Sequence, residues 1–347
     1  MHFPSLFKKK STSVLGIEII GRSIRWAEVY STNNGFEVLT HGMLDTAHQL
    51  WNTSLDIEDG LVDSLAPLAA YRHLPLACVL PATMTQTAYL SIPLEERAKS
   101  PIEHVIKTHV ESYIVEHDTL VTSDTVCLYD VLSHTKQRVE IAATFYRLSK
   151  VQHLTDILHA LGFKDIQYIP FHDTLHALHM DHDPSLIISM ADQTTSLFQL
   201  HEGTLRGFGS VALGASDIFG LIHDTVGEDL APRVYARYGI KSNHRDPKLY
   251  KALVEKTQTI TDLAQHMITE SNKDHHLIIA GDHAMLPGLD TFFATQLRRT
   301  PRILEVWQRF IDPNQQLPVI DAHDMLRFAP ALGAAVDYLD RQGQSGR

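Results

Sequence analysis

Residues 15–29 constrain the fold more than any other stretch of the chain. Val14, Leu15, Ile17 and Ile19 form a β-rich run, Gly21 suits the positive φ of a tight turn, and Ile24, Trp26 and Val29 resume the extended pattern. Similar wording returns at residues 186–197 and 276–283, where a buried strand again runs into a small or polar turn. Copies near the start, middle and end suggest two lobes around a cleft. At such turns backbone N–H groups are placed to hold phosphate oxygens.

Composition narrows the class. A chain of 347 residues with 44% hydrophobic and 20% charged residues can bury a sizeable core and is not disordered. A net charge of -11 argues against broad nucleic-acid affinity, which needs a surplus of Lys and Arg on one face. Cys78 and Cys127 lie far apart in apolar, strand-like runs and read as buried thiols of a reducing compartment. No apolar segment approaches transmembrane length. Residues 1–10 carry Phe3, Leu6 and Phe7 before Lys8, Lys9 and Lys10, without signal-peptide order. A solvated tail and a weak contact with anionic lipid or a partner both remain open.

Element by element, residues 14–38 read as two or three strands with a hairpin turn at Asn33-Asn34-Gly35, and residues 48–71 as largely helical. Strands are expected at 76–80 and 89–92, then a helix from Pro101 capped by Ser100. Paired strands follow at 126–132 and 138–145, then a helix capped by Ser149 and closed by Gly162. Residues 75–165 therefore read as one small α+β unit. Further on come a helix at 173–180, a hairpin over 186–200 and a strand at 205–211. Helices are expected at 215–226, through 232–268 with breaks near Gly239 and Pro247, at 290–297 and at 327–339.

Several short stretches, in this order and spacing, resemble the PilM family of actin-like type IV pilus assembly proteins, relatives of FtsA. They are Phe7-Lys8-Lys9-Lys10 with Leu15-Gly16-Ile17-Glu18-Ile19, Leu80-Pro81 to Ile92-Pro93, Glu111-Ser112-Tyr113-Ile114, and Val139-Glu140-Ile141-Ala142-Ala143. Later come Gly214-Ala215-Ser216-Asp217, Ala280-Gly281 with Leu286-Pro287-Gly288, and Pro330-Ala331-Leu332-Gly333. The resemblance implies an α/β, two-lobed actin-like (ribonuclease H-like) fold with a small α+β subdomain inserted in the first lobe. On that pattern residues 1–10 are a basic leader. Residues 11–74, 166–182 and 322–340 form the first lobe, 75–165 the inserted subdomain, and 183–321 the second lobe with a helical part at about 225–273.

The resemblance also implies an ATP and magnesium site, and the chain departs from it at named positions. Glu18 and Ile20 replace the Asp and Gly of the first phosphate hairpin, Gly21, Arg22 and Ser23 follow, and Arg25 replaces a Lys. In the second hairpin Ser189 and Ala191 replace Asp and Gly. Asp192 follows, and Thr194, Thr195 and Ser196 keep hydroxyl character. Gly214 opens the next helix, while in the adenosine turn Gly281 is kept and Asp282 replaces the second Gly. A β-branched residue at a glycine turn carries a steric cost, and a lost Asp removes a ligand for magnesium-bound water. ATP binding is left open, and hydrolysis is not expected.

Other chemistries are weaker. His172, His176, His179 and His182 with Asp173 and Asp183 could share a helical face and hold zinc, or be solvated and core histidines. Arg298, Arg299 and Arg302 could be an anion patch or a solvated helix end. No acyl-transfer nucleophile motif is present. The leading expectation is a cytoplasmic adaptor at the inner face of the cytoplasmic membrane. The resemblance implies that it binds the N-terminal tail of a PilN-like membrane protein in a groove beside the inserted subdomain, with Leu90, Ile92 and Tyr113 as lining candidates and Tyr129 and Phe145 less clearly so. An actin-like ATPase or sugar-kinase relative, and a self-associating FtsA-like division protein, are the alternatives.

Overall fold

The computed structural model describes residues 13–20, 23–32, 35–45, 63, 65–94, 101–116, 123–180, 183–201, 204–241, 246–271, 275–310 and 321–344. The leader, Gly21, Arg22, the Asn33-Asn34 turn, Ser100, His182 and most of the 48–71 helical stretch lie outside them.

The chain opens with β1 (Ser13–Ile20), β2 (Ser23–Thr32) and β3 (Gly35–Asp45), and a 3-10 turn at Ala66–Tyr71 leads into β4 (Leu76–Leu80). Next come β5 (Thr85–Pro93), helix α1 (Ile102–Glu116), β6 (Thr125–His134), β7 (Arg138–Arg147) and α2 (Leu148–Ala160). After β8 (Ile166–Pro170) and α3 (Phe171–Leu178), the second half runs β9 (Ser185–Met190), β10 (Thr195–His201) and β11 (Thr204–Val211). It continues through α4 (Ala215–Val226), α5 (Ala231–Tyr238), α6 (Pro247–Ser271), β12 (His276–Ala280), α7 (Leu289–Leu297) and β13 (Pro301–Ile303). Helices α8 (Ala322–Arg327) and α9 (Ala329–Gln344) end it.

Two five-stranded sheets share one topology. The first has the order β3-β2-β1-β4-β8 and the second β11-β10-β9-β12-β13. In each, the hairpin strands pair antiparallel and the last two strands add in parallel. This duplication answers the recurrence of the strand-turn wording. The hairpins even match residue for residue, with Glu18 opposite Arg25 in one and Ser189 opposite Ser196 in the other.

Strand parity decides what each face meets. Leu15, Ile17 and Ile19 turn to one side of the first sheet, where Leu154, Ile157 and Leu158 of α2 cover them. Val14, Gly16 and Glu18 turn to the other side, toward α9. That helix lies against β1 so closely that a Cβ on Gly16 would stand 1.9 Å from the Ala331 carbonyl oxygen. Gly333 meets α3 in the same way, at 1.9 Å from the Thr174 carbonyl oxygen.

Strands β5, β7 and β6, in that order, make a third sheet, with α1 on one face. Strand β4 and helix α2, grouped with this unit in the sequence reading, instead complete the central sheet and its cover. There β4, apolar and buried at every position, has neighbours on both edges and layers on both faces. Ser149 is also not the expected cap. Arg147 holds the N-cap position, and the Ser149 amide and hydroxyl both donate to the Asp124 carboxylate, at 2.7 and 2.6 Å.

Candidate functional site

A cavity of about 450 Å³ opens between the two lobes. Glu18, Ile20 and Ser23 of the first hairpin, Pro81 and Thr83 after β4, and Ser189, Asp192 and Thr194 of the second hairpin line it, with Ser216 of α4. The structure therefore gathers five of the expected cofactor residues on one surface: Glu18, Ser23, Ser189, Asp192 and Thr194. Thr195 is buried instead, its hydroxyl donating to the Leu213 carbonyl at 2.7 Å. The amide of Gly214 donates to Asp217 at 3.0 Å, closing the start of α4, and a Cβ there would strike the Ala191 and Asp192 carbonyls at 2.4 Å. Gly281 does hold the positive φ of a turn glycine, 85°, pressed against Ser189 and Met190.

The electrostatics of the cleft centre on Arg25. Its side chain is 6% exposed and grips the Asp282 carboxylate with both terminal nitrogens, Nη1 donating to Oδ1 at 2.6 Å and Nη2 to Oδ2. Nη1 also lies 3.4 Å from Glu18 Oε2 and donates to the Arg327 carbonyl at 3.2 Å. One guanidinium thus serves two carboxylates. Burial pushes the Glu18 carboxyl up to about 8 against the pull of Arg25, and burial likewise raises Asp282. Asp192 lies on the other wall, hydrogen-bonded to His283 at 2.8 Å, which holds its carboxyl below the usual range. His283 and the Arg327 carbonyl had no signal in the sequence beyond adjacency to Asp282 and to the last helix.

Toward a triphosphate the lining offers the Asp192 carboxylate and the Glu18 carboxyl, raised to about 8, while Arg25, the buried cation beside them, is committed to Asp282. Among the described residues no group of three His, Cys, Asp or Glu side chains could hold an ion. His172 is buried beside Asp173 and 3.4 Å from the Thr144 hydroxyl, and His179 lies 3.2 Å from Ser185 Oγ.

Of the expected partner residues, Leu90 and Ile92 fall on the inward face of the third sheet and Tyr113 on α1, which covers that face. Ile92 is 1% exposed, and Leu90 and Tyr113 pack with it around Ile106, Ile141 and Phe145 beneath α1, Tyr113 stacking on Phe145 at 5.3 Å. They form the subdomain's own core. Tyr129, on β6, is exposed. Tyr89, one position from Leu90 and so on the opposite face, is 40% exposed and pairs across to Ala142. That face looks toward the body of the molecule. There Arg341 of α9 binds Asp130 of β6 at 3.6 Å, Asp173 at 3.2 Å and Asp337 at 2.7 Å, and Arg206 of β11 approaches Glu140 of β7 at 3.6 Å. Periodicity alone could have separated Tyr89 from Leu90. It could not have told which face was covered by α1.

Two lobes of one duplicated sheet topology, meeting at a cleft floored by paired hairpins, define the actin-like fold, and this chain has it. No protein-family model matches the sequence, and no curated protein matches it. Among solved structures it is similar to a chain of the PilM-PilN type IV pilus biogenesis complex, at 16% identity and a TM-score of 0.72, covering 96% of this chain and 99% of that one. It is also similar to MreB5 of Spiroplasma citri bound to ADP, at 8% identity and a TM-score of 0.55, covering 98% and 100%. The ethanolamine utilization protein EutJ from Carboxydothermus hydrogenoformans follows at 10% identity and a TM-score of 0.52, covering 93% and 88%. Among the described residues no helix is long and apolar enough to cross a membrane.

Proposed function

We propose that this chain is an actin-like adaptor of type IV pilus or related type II secretion assembly. It binds the N-terminal cytoplasmic tail of a PilN-like inner-membrane protein and works at the inner face of the cytoplasmic membrane, with a degenerate nucleotide cleft. The observation that carries this reading is the end-to-end likeness to a chain of the PilM-PilN complex, with a TM-score of 0.72 against 0.55 for ADP-bound MreB5 of the same fold. We place the peptide on the third-sheet face that carries Tyr89, whose 40% exposure leaves an aromatic anchor open to an extended chain. An ATPase reading draws on the MreB5 likeness and on Gly281, and the Ser189 that replaces an Asp, with Arg25 committed to Asp282, opposes it.

The test is fluorescence anisotropy with a labelled N-terminal peptide of a PilN-like protein. Wild-type chain is expected to bind it, and Tyr89→Ala to weaken binding by about tenfold, as truncation of an aromatic anchor does. Absence of binding by the wild type, together with steady ATP turnover, would transfer the assignment to the ATPase reading.

A further inference from the structure

The tie between Arg25 and Asp282 joins residues 257 positions apart, one on the first lobe's hairpin and one on the turn after β12 of the second lobe. Several features mark it as a built contact. Arg25 is almost fully buried, and it uses both terminal nitrogens on one carboxylate in the fork geometry that suits a guanidinium. Glu18 and the Arg327 carbonyl hold the same Nη1 from the first-lobe side, fixing the side chain before it crosses. On the far side Gly281, at φ 85° and wedged against Ser189 and Met190, sets the direction in which Asp282 leaves the turn. Both residues stand where the resemblance to actin-like proteins places a Lys and a Gly that admit nucleotide.

We propose that Arg25 and Asp282 form a latch that holds the lobes together with no nucleotide between them. The pair itself ties one lobe to the other and excludes a nucleotide by occupying the turn with a carboxylate. Removing Arg25 strands the buried Asp282 carboxylate, and removing Asp282 leaves Arg25, among carboxylates, only its longer 3.4 Å contact with Glu18, whereas replacing both with apolar groups of similar size does neither. This predicts a signature that simple packing would not give. The inference rests on the degenerate-cleft part of the function proposed above and not on the peptide, so a failed peptide assay leaves it standing.

The experiment is hydrogen exchange by mass spectrometry on the full chain as wild type, Arg25→Met, Asp282→Leu and the double variant, each with and without millimolar Mg-ATP. Each single variant is expected to speed exchange in residues 13–20 and 276–284 by about tenfold, and the double variant to return toward wild type. The third sheet, away from the cleft, serves as the folding control and is expected to stay unchanged. Mg-ATP is expected to leave the wild type unaltered. Single variants with wild-type exchange in the two cleft segments would overturn the latch. Protection of those segments in the wild type by Mg-ATP would overturn it as well, and that arm decides the matter even if a single variant fails to fold.

Discussion

Glu18 is a carboxylate on a strand face that otherwise meets a helix, and its neighbourhood makes it a pH-sensitive residue. Its carboxyl is pushed up to about 8 from an ordinary 4.5 because burial outweighs the attraction of Arg25, whose charge Asp282 already neutralises. Between those values the folded chain keeps a proton that the unfolded chain releases, so stability falls as pH rises through that window. The slope from one such group approaches about 1.4 kcal/mol per pH unit. Urea unfolding of wild type and Glu18→Gln across this range is expected to show a flatter profile for the variant, which should be the more stable protein near pH 8. Asp173 and Asp337, both pushed up to about 7 by burial, act with the same sign, so the difference between the two proteins isolates Glu18. The sequence displayed Glu18 and Arg25 as departures from a phosphate-binding pattern. It gave no sign that they would share a guanidinium with Asp282, because hairpin register pairs neighbours and says nothing of a residue in the other lobe.

At the scale of elements, two close approaches seat α9. Gly333→Ala puts a methyl group where the Thr174 carbonyl oxygen stands, and α9 has little room to retreat with β1 equally close through Gly16. Loss of about 3 kcal/mol in a denaturant titration is expected, at the upper end of overpacking costs. Strand β5 yields a second test. Leu90→Ala removes packing from the subdomain core and should cost about 2 kcal/mol, while Tyr89→Ala, on the opposite face, should stay within about 0.5 kcal/mol. Most strands and helices were legible in the alternation and spacing of apolar residues, from β4 at Leu76–Leu80 to α4 at Ala215–Val226, while β8, β13 and α8 were not. The membership of β4 was not legible, because a short apolar strand carries no mark of which sheet it joins. The same limit moved Leu90, Ile92 and Tyr113 from groove to core.

For the whole molecule, the latch and the acidic cleft together predict that millimolar Mg-ATP leaves the melting temperature of the wild type unchanged in a thermal-shift assay. A ligand at a hundred times its dissociation constant would add about 2.7 kcal/mol and raise it by several degrees. The recurring strand-turn wording by itself determined the duplicated, two-lobed architecture, since period-two burial and small turn residues are local properties that survive in a linear text. Only the tertiary structure decided which groups meet in the cleft. Whether Arg25 meets a phosphate or Asp282, and whether Tyr89 or Leu90 faces a partner, depends on groups brought together from distant parts of the chain. Their energies come from burial and charge proximity, which exist only after the lobes have closed.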